Sequence, residues 1–206
     1  MRFCIGFWFI CEVWFFLRLI VVDGLDAVGK DTHAELIKKR YEDRGEYVVV
    51  RSHPSSDNFF GRVAKKALLG QGMVDRVKAS LFYALDVLRS IKKYYGSDKY
   101  DTVILVRYLV GTAYLPLWMA RFLYGFFKGF VPTSEYMFFL DAPPDVLLER
   151  IALRKQVEMF ETAEKLVKVR SRALALVEGW NVVDTTGSVK ETFEVISDVL
   201  DRFDKN

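Results

Sequence analysis

Residues 17–32, LRLIVVDGLDAVGKDT, constrain the fold of this chain more than any other stretch. A nearly unbroken apolar run from Leu17 to Val22 is long enough for one strand buried on both faces, and it stops at Asp23-Gly24, where the pattern turns polar. Gly24 opens G-L-D-A-V-G-K-D-T, and beyond Thr32 apolar residues return at helical spacing, at Ala34, Ile37 and Tyr41. Strand, glycine loop, lysine and helix, in that order, are what a phosphate cradle requires. Gly24 and Gly29 permit backbone angles closed to other residues, so that successive N–H groups can point inward at an anion. The helix N-terminus adds a partial positive charge and Lys30 a full one. The pattern GxxxxGK is complete, but the Ser or Thr that usually follows the lysine is Asp31, with Thr32 one place late. An ordinary strand-to-helix turn is the alternative reading.

The remainder alternates in the same way. The first helix, about 30–44, stops at Gly45, and Glu46 to Arg51 (EYVVVR) reads as a second buried strand that delivers the polar loop SHPSSDN. A basic amphipathic helix near 59–69 ends at Gly70-Gln-Gly72, and a longer one over 74–95 carries Val77, Leu81, Leu85 and Leu88 on one face. Strands are expected at 101–107, 136–140 and 180–183, with helices over 161–178 and 189–203. The apolar stretch 108–131 is interrupted by Pro116, Arg121, Lys128 and glycines, and is expected to be a buried helix rather than a membrane span. The pattern predicts an α/β fold in three layers, a five-stranded parallel sheet flanked by helices, with one domain over 17–206.

Half of the 206 residues are apolar and the net charge is only +3, which suits an anionic small molecule and gives no sign of a nucleic-acid surface. Residues 1–16 form an apolar extension. Together with the following strand they approach the length of a membrane span, but Glu12 and Arg18 interrupt the run. An extension packed on or frayed from the body is expected; contact with a membrane or partner, or an anchor, is the alternative. Cys4 and Cys11 have no metal-ligand spacing to partner them, so a reduced, cytoplasmic protein is expected.

Five segments in register, GLDAVGKDT, RSHPSSDN, ASLFYALDVLRS, VRYLVGTAY and ERIALRKQVEMFE, resemble the thymidylate kinases, P-loop nucleoside monophosphate kinases, and most closely their archaeal branch. The resemblance covers residues 18–203. It implies ATP and Mg²⁺ as cofactors, dTMP as acceptor, and a homodimer packed through helices beside the acceptor site, for which the apolar faces of 74–95 and 112–129 are available. On this resemblance Gly24, Leu25, Asp26, Ala27, Val28, Gly29, Lys30, Asp31 and Thr32 would hold ATP. Asp26 would face the 3′-hydroxyl of the acceptor sugar, and Arg51 and His53-Pro54 would lie near the acceptor phosphate. Phe82 would stack on thymine, and Arg107 with Tyr108 would match an Asp-Arg-Tyr motif, Arg107 bridging acceptor and transferred phosphate. A lid at about 150–161 would bring Arg150, Arg154 and Lys155 over ATP, Arg154 as the transition-state cation. The turn Asp184 to Gly187 would receive adenine.

Three positions depart from that pattern. Val106 stands where an aspartate is expected, and valine neither binds Mg²⁺ nor orients Arg107, so that Asp23 or Asp31 would have to serve the metal and restoring an aspartate would raise activity. Asp31 offers a legitimate Mg²⁺ ligand beside phosphates. Asp86 occupies the place of a base-reading arginine among the substrate-binding residues. A nucleotide-binding homologue without catalysis, and a kinase for another deoxynucleotide or a deoxynucleoside, are therefore the alternatives.

Overall fold

The computed structural model describes residues 17–70, 72–153 and 163–205. The N-terminal extension and Arg154, Lys155 and the rest of the expected lid to residue 161 lie outside the described residues. Five strands form one parallel sheet in the order β2 (Val48–Ser52), β3 (Thr102–Val106), β1 (Arg18–Gly24), β4 (Met137–Asp141) and β5 (Asn181–Asp184). Among the described residues seven α-helices accompany it: α1 (Lys30–Glu42), α2 (Phe59–Leu68), α3 (Met73–Ser90), α4 (Leu117–Lys128), α5 (Pro144–Ala152), α6 (Ala163–Leu174) and α7 (Val189–Phe203).

The three central strands are buried along their length because they are apolar without alternation. Leu19 to Val22, Val103 to Val106 and Phe138 to Leu140 are all shielded from solvent. Helix α1 covers them with Ala34, Ile37 and Tyr41, and α7 with Ile196, Val199 and Leu200. Ser188 starts α7 by a reciprocal cap: its hydroxyl accepts from the Glu191 amide at 3.2 Å, and Glu191 accepts from the Ser188 amide at 2.8 Å. The far end of α7 is tied to α1 by Asp204, which accepts from Tyr41 Oη at 3.0 Å and from Arg44 Nη1 at 2.7 Å.

The connection after β1 runs through α1 toward β2 and the one after β3 runs through α4 past β1 to β4, so the chain departs in opposite directions from these neighbouring strands and a crevice opens beyond their carboxyl ends. Gly24 marks the exit from β1. A Cβ there would stand 2.3 Å from the Leu140 carbonyl oxygen, so only glycine lets the two strands run side by side into the loop.

The segment 108–131 differs from expectation. A 3-10 turn over Val110–Tyr114 precedes Pro116, and α4 begins only after it. The helix buries Ala120 and Tyr124, while its opposite face, including Trp118 and Phe122, is exposed to solvent. A helix so rich in large apolar residues reads as mostly buried, but here the body supplies partners for one side alone.

Candidate active site

A cavity of about 640 Å³ opens at the carboxyl edge of the sheet, between the loop after β1, the loop after β2, α3 and the segment after β3. Asp26, Asp31, Ser52, His53, Tyr83 and Arg107 are among its walls. One side of it is the glycine loop. Ala27 and Gly29 both have positive φ, 67° and 88°, which folds the chain tightly before α1. Lys30 is buried at the start of that helix, and its Nζ donates to the carbonyls of Gly24, at 3.0 Å, and Leu25. Asp26 Oδ1 lies 3.7 Å from the same nitrogen. Burial, joined by the nearby Arg107, lowers the Lys30 pKa to about 8 against the pull of Asp26, Asp23 and Asp31. Leu25, Ala27 and Val28 turn their side chains into the core, whereas Asp31 and Thr32 are exposed on the first turn.

Arg107 faces the loop from the end of β3. It is a non-glycine residue at φ 59°, so the backbone is strained to aim its guanidinium back across the crevice. Its Nη1 donates to Ser52 Oγ at 3.1 Å and to Asp31 Oδ2 at 3.2 Å, and Nη2 lies 3.9 Å from Asp26 Oδ1. Ser52 Oγ in turn donates to Asp31 Oδ1 at 2.8 Å. Burial works against ionisation of Asp31, but Arg107, the Ser52 hydroxyl and Lys30 together outweigh it and hold the carboxyl below its ordinary range. The expectation that Arg107 would lack an orienting carboxylate is therefore corrected: Asp31 orients it from the helix instead of the strand.

Asp23 is occupied elsewhere. One carboxylate oxygen accepts from the Gly24 amide at 2.8 Å, and the other from the amides of Tyr108, Leu109 and Val110 at 2.8, 3.1 and 3.0 Å. It anchors the segment after β3 through these amides. Tyr108 lines the cleft with its hydroxyl donated to the Pro132 carbonyl at 2.9 Å. Val106 is fully buried within the sheet. An aspartate introduced there would be surrounded by core side chains, so Val106→Asp is expected to lower stability by about 3 kcal/mol or more, with no gain in activity. Thermal unfolding and a turnover assay of the same variant check both parts.

The acceptor wall differs from expectation at three residues. Phe82 packs against Phe59 and Phe60 of α2, at 5.9 and 6.3 Å between ring centroids, and does not line the cleft. The adjacent Tyr83 does, with its ring against Gly111 and 6.4 Å from His53. Successive helical residues point about 100° apart, so a shift of one position moves an aromatic from one wall to another. Asp86 is 0% exposed and does not line the cleft; it accepts from Ser55 N at 2.6 Å, Ser55 Oγ at 2.8 Å and Asn58 Nδ2 at 2.6 Å. It thus braces the loop that carries His53 and Pro54 into the cleft. Arg51 leaves the cleft too: it pairs with Asp57 at 2.8 Å and lies 4.8 Å over the Tyr94 ring.

His53 donates its backbone N–H to the Val106 carbonyl at 3.0 Å, and burial depresses its imidazole pKa to about 4, so it stands in the cleft wall uncharged. Arg150, expected in the lid, instead clamps the glycine loop to the turn after β5. It donates to the Ala27 carbonyl at 3.4 Å and to the Thr185 carbonyl at 2.6 Å. Replacing Asp86 by Ala strands two buried donors, the amide and the hydroxyl of Ser55, and removes one acceptor of Asn58 Nδ2, which predicts a loss of about 3 kcal/mol. It also raises KM for the acceptor while leaving KM for ATP near its original value. A denaturation curve and a two-substrate kinetic analysis measure these.

A family model described as thymidylate kinase matches residues 22–196. Curated relatives include a probable thymidylate kinase of Pyrococcus horikoshii, 28% identical over 196 residues, covering 88% of this chain and 93% of that protein. A probable thymidylate kinase of Thermococcus kodakarensis is 30% identical over 177 residues, covering 77% of this chain and 83% of the relative. Among solved structures, the thymidylate kinase of Candida albicans superposes with a TM-score of 0.68 over 92% of each chain at 19% identity, a likeness of fold.

Proposed function

This chain belongs to the thymidylate kinase family, and on that premise we propose that it transfers the γ-phosphoryl group of ATP to the 5′-phosphate of dTMP, giving ADP and dTDP. The observation that carries the reading is the opposition of Lys30, at the base of the glycine loop, and Arg107, held across the crevice by Asp31 and Ser52. Two polyanions must be brought together in line, and cations fixed in advance lower the repulsion without reorganising during the reaction. Lys30 leaves the carbonyls of Gly24 and Leu25 and takes the β- and γ-phosphates of ATP. Arg107 exchanges its neighbours for the acceptor phosphate, which a planar guanidinium grips with two parallel bonds. Asp26, which accepts from Tyr114 Oη at 3.0 Å, turns its carboxylate to the 3′-hydroxyl of the sugar. Tyr83 offers its face to the base.

ATP arrives with Mg²⁺, which would neutralise charge across the phosphate oxygens. Asp31 and Thr32 are the exposed oxygen-bearing side chains of the first turn of α1 and fit the hard-cation preference for oxygen. They would hold the ion alongside the phosphates themselves.

One observation favours a second reading in which the base is chosen loosely. The stretch of α3 lining the cleft, Ser80, Tyr83, Ala84, Val87 and Leu88, has no charged or amide side chain to read a base edge. A coupled ADP-release assay across dTMP, dUMP, dCMP, dAMP and thymidine tests both readings. Highest kcat/KM on dTMP supports the first, comparable values on dUMP or dCMP support the second, and preference for unphosphorylated thymidine contradicts both.

The protein works in the cytoplasm as a homodimer, joined through the exposed apolar face of α3 at Val77, Leu81 and Leu88. Sedimentation equilibrium is expected to give twice the mass of the chain, and Leu81→Glu to give the mass of one, because two like charges would face each other across an isologous contact.

A further inference from the structure

Strands β1 and β3 stay paired up to Val22 and Val106, and one further main-chain bond, from the Arg107 amide to the Val22 carbonyl at 3.2 Å, continues the ladder past the end of β3. In a parallel ladder the next groups offered by β1 are the N–H and C=O of Gly24. Both are diverted. The Gly24 amide donates to Asp23 Oδ1 at 2.8 Å, and the Gly24 carbonyl accepts from Lys30 Nζ at 3.0 Å. A side chain takes the place of the ladder: Asp23 Oδ2 accepts from the amides of Tyr108, Leu109 and Val110 at 2.8, 3.1 and 3.0 Å.

Successive N–H groups that converge beside a left-handed residue form a concave seat for an anion. The left-handed residue here is Arg107, at φ 59°, and the anion is the Asp23 carboxylate, which is 2% exposed. Its charge strengthens the bonds to the amides, and these hold in place a backbone that is strained to aim the guanidinium. The contacts form one continuous chain. Lys30 Nζ meets the Gly24 carbonyl, the Gly24 amide meets one oxygen of Asp23, and the other oxygen seats the three residues after Arg107.

Granted that Lys30 takes ATP and Arg107 the acceptor, as read above, we propose that Asp23 is a positioning residue that couples the two sites, each nucleotide strengthening the binding of the other. When phosphate draws the ammonium away, the Gly24 peptide loses the partner of its carbonyl and turns. Asp23 is bonded to the same peptide through its amide, so the seat that sets the Arg107 backbone turns with it. Linkage makes the effect reciprocal. A second path runs through charge: Asp26 Oδ1 lies 3.7 Å from Lys30 Nζ and 3.9 Å from Arg107 Nη2. Asp26, however, turns to the acceptor sugar when the cleft fills. The hydrogen bonds of Asp23 among the described residues all come from backbone amides, which nucleotide phosphates do not compete for.

The test is calorimetric titration of the full chain with dTMP, alone and in the presence of Mg²⁺ and the non-hydrolysable β,γ-imido analogue of ATP. The analogue is expected to tighten dTMP binding about tenfold in the unaltered chain and no more than about twofold in Asp23→Asn, which keeps the shape but turns one accepting oxygen into a donor facing amides. A purely structural anchor would lower the melting temperature of that variant and leave the ratio of affinities as it was. Hydrogen exchange on the unaltered chain frees the test from the folding of the variant: the ATP analogue alone is expected to change the protection of amides 108–110. With both nucleotides binding, three results overturn the coupling: a ratio of one in the unaltered chain; an unchanged ratio in Asp23→Asn, which would assign the coupling to Asp26; or amides 108–110 that do not respond to the analogue. Failure of the unaltered chain to bind dTMP at all overturns the proposed reaction as well.

Discussion

Lys30→Ala lowers kcat by about 10³-fold with little change in melting temperature, and this is the largest effect expected from any single change on the phosphate side of the cleft. The ammonium group is the only side-chain cation that the glycine loop itself contributes, since Leu25, Ala27 and Val28 are apolar. Its nitrogen donates to the carbonyls of Gly24 and Leu25, contacts that a bound phosphate is proposed to replace. Stability is insulated from the loss because a buried ammonium is itself a burden, visible in its pKa of about 8. The pH dependence follows with a definite sign. Between about 8 and the ordinary lysine value the unfolded chain holds the proton and the folded chain releases it, so the nucleotide-free protein gains stability as pH rises through that window. ATP affinity moves oppositely and falls as pH climbs past about 8, because a neutral amine does not attract phosphate. Thermal unfolding and ATP titration over pH 6 to 10, a range spanning about two units either side of that value, check both trends, and Lys30→Ala removes both.

Arg107→Ala is expected to cost about 10³-fold or more in kcat/KM for the acceptor, with ATP affinity much less affected. Arg107→Lys recovers little, because an ammonium on a flexible stem does not reproduce two parallel bonds to phosphate. The backbone offers an internal control. At φ 59° any side chain is strained, so Arg107→Gly is expected to exceed Arg107→Ala in stability by about 1 kcal/mol while being equally inactive. Equal stability of the two would mean that the segment after β3 relaxes freely and that Asp23, which fixes it through three amides, anchors it weakly. Asp31→Asn tests the partner. It keeps the shape but removes the charge that orients the guanidinium, and it raises KM for the acceptor.

The central strands and the glycine loop were legible because each is announced by a continuous apolar run ending in a polar turn, and nothing else in the chain competes for the same reading. Arg107 was legible for a related reason: a cation ending a buried strand has no structural use. The acceptor wall was not. Leu81, Phe82 and Tyr83 are consecutive and all apolar in character, and helical periodicity does not tell which one faces a cavity when α2 packs on the neighbouring face. Asp86 had a signal that could have been read: a carboxylate among Leu85, Val87 and Leu88 must find donors, and the Ser-Ser-Asp-Asn run before α2 holds them. The carboxylate expected at Val106 and found at Asp31 illustrates a different limit. A charge can move from strand to helix and still meet the same arginine, and only the parallel register of β1, β2 and β3 shows that the two positions converge. The exposed face of α4 was hidden because large apolar residues stand on both sides of that helix, and their spacing gives no sign of which side lacks a partner.

The most direct measurement of the central claim, that one crevice seats the ATP tail at Lys30 and the acceptor phosphate at Arg107, is calorimetric titration with adenosine and thymidine joined through five phosphates. One molecule is predicted to bind per chain, more tightly than ATP or dTMP alone, to exclude both, and to lose most of its affinity in Lys30→Ala and in Arg107→Ala. If the saturated protein still binds dTMP or ATP at full affinity, the two sites do not meet and the account is wrong.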